Sequence, residues 1–130
     1  MWYSGIKDKV FTQVSYMVKK TYPKLICTTV NENTIPSKFP TMYLHELQPA
    51  EAGNDLTNET VNAVICTIEV MVWTNTTETD CRQICDCITE EFKRLQFNVT
   101  MMPLVEMRNN IASGVIRFRR IVGNGDLLAK

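Results

Sequence analysis

One run constrains the fold of this chain more than any other: TVNAVICTIEVMVWTN, residues 60–75. Val64, Cys66, Ile68, Val70 and Val72 alternate with Ile65, Thr67, Glu69, Met71 and Trp73. That is the period-two pattern of a half-buried strand. The even-numbered side is wholly apolar and must face a core. The odd-numbered side sets Glu69 among Met71 and Trp73, so it is expected to be accessible in part and to suit covering by a partner.

The rest of the chain reads around this strand. Ile6, Val10, Val14, Met17 and Val18 recur at helical spacing and predict a helix over Ser4–Thr21, ended by Pro23. KLICTTV is a first strand, NENTIPSKFP a loop and TMYLHEL a second strand. The polar stretch from Gln48 to Glu59 is expected to be a long connection. Its Glu51, Gly53, Asn54 and Asp55 are candidates for contacting a partner, because long loops with turn chemistry tend to be functional. A second helix follows, capped by Thr76 or Thr77. Glu78 and Asp80 lie at its start, Lys93 and Arg94 at its end, and Cys81, Ile84, Cys85, Ile88, Phe92 and Leu95 form its buried stripe. FNVTMM is a fourth strand stopped by Pro103, VEMRNN a turn and IASGVIRFRRIVG a fifth strand.

The order αβββαββ predicts an α+β domain over residues 1–122, with residues 123–130 as a C-terminal docking tail. Two amphipathic helices suffice to cover one face of one mainly antiparallel sheet of about five strands, leaving the other face for water or a neighbour.

Composition excludes several classes. Fourteen basic residues balance fourteen acidic ones, so the basic excess of a duplex-DNA reader is missing. No apolar run approaches the roughly 20 residues that cross a bilayer. The start, MWYSGIKDKV, lacks the pattern of an export signal, so Cys27, Cys66, Cys81, Cys85 and Cys87 are read as free thiols. CRQICDC invites a metal. On a helix, however, Cys85 and Cys87 point about 200° apart, so the three cannot converge on one ion, and Cys81 and Cys85 read as small core residues.

Catalytic signals are equally thin. A nucleophilic pair would need His45, the single histidine, beside Cys66 or Cys27 with a third group orienting the ring. Glu90 and Glu91 read as a solvated helix face. Phosphate-loop, dinucleotide and H-E-x-x-H patterns are absent, and Gly123 with Gly125 make only half a phosphate loop. No catalytic residue, metal site or cofactor is expected, and the chain is not expected to be an enzyme.

The end of the chain carries the sharpest functional question. In VIRFRRIVGNGDLLAK, Arg117 and Arg119 share the uncovered face of a strand, where they are positioned to meet phosphates, Glu69 across the sheet, acids on another subunit, or only water. Arg120 intrudes on the apolar face and needs an acidic partner or an escape to the sheet's end. Gly123, Asn124, Gly125 and Asp126 form a hinge before Leu127 and Leu128, an apolar anchor suited to docking on a neighbour, the alternative being docking on the chain's own core. Together with Glu69, these residues are candidates for a subunit interface. Base recognition would want aromatics beside the arginines, and Phe118 points to the other face.

In order, length and phrase, the stretches FPTMYLHELQPAE, NAVICTIEVMVWTN, ITEEFKRLQFNVTMMP and RFRRIVGNGDLL resemble the tail terminator (tail completion, or tail-to-head joining) proteins of long-tailed bacteriophages. The resemblance implies a structural virion subunit, assembled in host cytoplasm, that forms a homo-hexameric ring. Such a ring caps the tail tube protein, joins the tail to the head-tail connector protein and lets DNA pass through its channel without sequence-specific binding or membrane contact. Another ring component of the junction, a stopper or adaptor, is the nearest alternative. A small nucleic-acid-binding α+β domain is a more distant one.

Overall fold

A computed structural model describes residues 2–29, 36, 38–54, 61–126 and 128. A 3₁₀ turn at Trp2–Gly5 leads into helix α1 (Ile6–Thr21), which is followed by strands β1 (Ile26–Thr28), β2 (Thr41–Asn54) and β3 (Val61–Thr74). Helix α2 (Glu78–Arg94) precedes β4 (Asn98–Arg108) and β5 (Ile111–Gly123). The five strands form one sheet in the order β1-β2-β3-β5-β4.

The sheet is mixed, which corrects the expectation of a mainly antiparallel one. β1 runs parallel to β2, pairing Ile26 with Thr41 and Thr28 with Tyr43, whereas β2–β3, β3–β5 and β4–β5 are antiparallel. Residues 29–40 give the dozen or so positions that a parallel crossover requires, where a hairpin would have needed only a few.

Both helices cover the same face. Val10, Val14 and Val18 of α1 and Cys81, Ile84, Cys85, Ile88 and Phe92 of α2 join Met42, Leu44, Val64, Cys66, Ile68, Val70, Val72, Ile116 and Phe118 in one core. Phe92 and Phe118 stack with ring centroids 4.0 Å apart and planes at 2°. Phe97 meets Phe92 edge-on at 5.3 Å. Such contacts add to the area these rings bury.

Local chemistry accounts for the ends of α2. The Thr77 hydroxyl accepts from the Asp80 backbone N–H at 3.1 Å, which selects Thr77 over Thr76 as the cap. Leu95 closes the last turn, and Gln96 takes a left-handed φ of 68° just beyond it.

Two strands run further than proline placement suggested. β4 continues through Pro103 to Arg108, so most of the expected VEMRNN turn is strand and only Asn109 and Asn110 turn, at φ 50° and 65°. β2 continues through Pro49 to Asn54, so Glu51, Gly53 and Asn54 lie in a strand and not in the expected loop. The register shifts beside both prolines, between Leu47 and Ala50 and between Met101 and Leu104. Each also lies where the strand has one neighbour, since β1 pairs β2 only as far as Tyr43 and β4 is the sheet's edge. A proline costs no ladder bond on an open edge or at a bulge. Asp55 lies outside the described residues.

Candidate functional site

Strand register assembles the site on the face without helices. On β3, Glu69 sits opposite His45 of β2 on one side and Arg117 of β5 on the other, and Met101 of β4 is opposite Arg117. The next row is Tyr43, Met71, Val115 and Leu104. A third row holds Thr67, Arg119 and Asn98. Two charged rows thus lie side by side, those of Arg119 and of Glu69, with the apolar row of Met71 and Val115 beyond the second.

Glu69 is the hub of the charged row. Arg117 donates from Nε to Glu69 Oε2 at 2.7 Å, and His45 Nε2 lies 3.5 Å from Glu69 Oε1. The Glu69 side chain is 13% exposed against 46% for Arg117, so the acid is largely sheltered while much of the guanidinium stays in water. Tyr43 stacks on the His45 ring at 5.1 Å and holds it over the sheet. Arg119 is exposed and forms no ion pair among the described residues. Leu104 (58% exposed) and Ile121 (58%) leave apolar surface beside these charges.

The remaining interface candidates divide. Arg120 turns to the core side, where its Nη2 donates to Asp126 Oδ2 at 2.7 Å, the acidic partner its position demanded. The other Asp126 oxygen accepts from the Leu128 backbone N–H at 2.8 Å. Gly123, at the end of β5, accepts from the Asp126 N–H at 3.1 Å, closing a turn through Asn124 and Gly125. Gly125 has φ 89°, the left-handed backbone that such a turn needs and that a β-carbon opposes. Leu128 is 7% exposed and packs in this chain's own core, the alternative to a neighbour that its sequence allowed. Leu127 lies outside the described residues.

The sheet itself separates the groups that would make a nucleophilic pair. His45 shares the open face with Glu69, whereas Cys66 and Cys27 lie on the core side, where Cys27 is the partner of Met42. Burial pushes the Cys66 thiol up to about 12, and burial also raises Cys27, so both hold their protons at neutral pH. Cys81 and Cys85 are fully buried and all five cysteines are free thiols. Among the described residues no group of three or more His, Cys, Asp or Glu side chains is placed to hold a metal ion.

Sequence reading set His45 aside as a lone structural residue and missed its place beside Glu69. The signal was the shared parity of Tyr43 and His45, but only the register shows which residue of β3 they meet. Glu91, read as solvated with Glu90, is 7% exposed and pairs with Arg94 at 3.2 Å. Glu90 is exposed as expected.

Compared with known proteins, the chain matches no family model and no curated protein.

Proposed function

We propose that this chain is a ring-forming structural subunit of the tail terminator kind. Its copies form a homo-hexameric ring that caps a phage tail tube and joins it to the head connector. The observation that carries this reading is the face of the sheet without helices, where Leu104, Met71 and Val115 lie beside Arg117 and Arg119. A monomer gains nothing by keeping that apolar row in water, and a neighbour that covers it removes the cost. The pairing of Arg117 with Glu69 supports protein contact over phosphate contact, since the acid already takes up part of the positive field. The burial of Phe118 on the core side also fits, because it turns the ring that lies between the two arginines in sequence away from the open face.

Native mass spectrometry of the full chain, alone and mixed with purified tail-tube subunits, tests this. A closed oligomer is expected, six-membered and bound to tube ends. A chain that stays monomeric in both conditions overturns it. So does duplex-DNA binding with a steep salt slope that Arg117→Glu with Arg119→Glu abolishes, which would assign the arginines to phosphates.

A further inference from the structure

The ring reading leaves open which surface meets the arginine face, and the outer side of α2 supplies a specific answer. Glu78, Arg82, Asp86 and Glu90 follow one another at four-residue steps along α2, all exposed, and turn progressively away from its buried stripe of Cys81, Cys85, Ile88 and Phe92. Glu78, Asp86 and Glu90 have no ion-pair partner among the described residues. Arg82 stands between Glu78 and Asp86 and would repel a guanidinium there, which leaves Asp86 and Glu90 as the open pair. They are also the one pair of exposed, unpaired carboxylates a single helical turn apart among the described residues. Asp86 borders a recess of ≈ 240 Å³ that it shares with Glu78, Thr79, Arg82 and Gln83.

The spacings match. One helical turn of four residues separates Asp86 from Glu90 by about 6 Å along the axis. Two strand residues separate Arg117 from Arg119 by about 6.7 Å on the same face. Two guanidiniums and two carboxylates at nearly equal intervals can form parallel charge-assisted pairs. Position agrees as well, because α2 packs behind β3, β4 and β5, on the opposite side of the strands that carry the arginines.

We infer that Arg117 and Arg119 of one copy grip Asp86 and Glu90 on α2 of the next copy, so that successive subunits meet front to back. A face-to-face pair would set two arginine rows on like surfaces, with Glu106 and the already engaged Glu69 the acids that offset them among the described residues. Front-to-back contact is heterologous, the type that generates rings when its rotation closes. The inference rests on the assembly reading and names the surfaces behind it.

Charge reversal on the full chain tests it, with mass read by light scattering across a concentration series. Arg119→Glu leaves the Arg117–Glu69 pair intact. Asp86→Arg with Glu90→Arg changes only exposed side chains, so circular dichroism should show both proteins folded. Each should weaken assembly by about tenfold or more. Mixing the two should restore it in part, because one of the two contacts regains the native arginine–carboxylate pairs. The other exchanges the lost pair at 119 for an opposite-charge one, although Arg117 there still meets an arginine. If the wild type assembles and the variants assemble equally well, or both fail and their mixture stays apart, the surfaces named here are wrong while the ring reading stands. A wild type that remains monomeric alone and with tail-tube subunits overturns both.

Discussion

Gly114 of β5 lies so close beneath Cys85 of α2 that a β-carbon added there would come within 2.7 Å of the Cys85 sulfur and 3.3 Å of the Cys81 sulfur. The absence of a side chain at this point sets how closely the helix can sit on the sheet. Gly114→Ala should therefore destabilise the fold by about 1–3 kcal/mol, as overpacking of a rigid core does. Adding Cys85→Ala should recover part of that loss. Urea unfolding of the two single variants and the double variant checks it, and strict additivity would show that the sulfur is not what the new methyl meets.

Phe92 is fully buried between Phe97 and Phe118. Phe92→Ala should cost about 3–5 kcal/mol in the same measurement. A loss below about 1 kcal/mol would mean that α2 does not seat its stripe on the sheet.

Asp126 carries two contacts, one to Arg120 and one to the Leu128 N–H. Asp126→Ala should cost about 1–3 kcal/mol, because Arg120, only 15% exposed, loses its carboxylate. It should also speed hydrogen exchange at Leu128. Asp126→Asn keeps an acceptor for that N–H and should retain more of its protection. Equal exchange in all three proteins would separate the seating of Leu128 from Asp126.

Glu46 gives a pH dependence of defined sign. Burial raises its carboxyl above the ordinary range, nearby Lys7 opposes that rise and Asp8 adds to it. The folded state thus holds the proton to higher pH than the unfolded chain does. The stability this group contributes is complete below the ordinary carboxylate pKa and is lost as pH rises through the raised folded value. Glu46→Gln should make the urea midpoint fall less between about pH 4 and about pH 7 than it does in the wild type. An unchanged difference would place the titration elsewhere.

Thiol labelling of the folded protein should be graded. Cys27 and Cys87, partly exposed, should react first, while Cys66, Cys81 and Cys85 should resist. Cys66 resists for two reasons, burial and a thiol pushed up to about 12. After unfolding without reductant, all five should label, and mass spectrometry counts them.

Much of this architecture is legible in the residues because it follows from local period and local chemistry. Alternation from Val64 to Val72 fixes which face of β3 is buried, and helical spacing picks out the stripes of α1 and α2. The capping hydroxyl falls within one residue of the structure's choice, and the demand of Arg120 for an acid follows from its intrusion on an apolar face. Each of these depends on neighbours close along the chain, where side-chain direction is set by backbone geometry alone. The parallel pairing of β1, the passage of β2 and β4 through Pro49 and Pro103, and the burial of Glu91 and Leu128 were decided by which strands and helices became neighbours. So was the charged row itself. His45, Glu69 and Arg117 are far apart in sequence, and no local rule aligns them. Only the register of three paired strands brings an imidazole and a guanidinium to the same carboxylate, because a slip of one residue would turn every side chain to the other face.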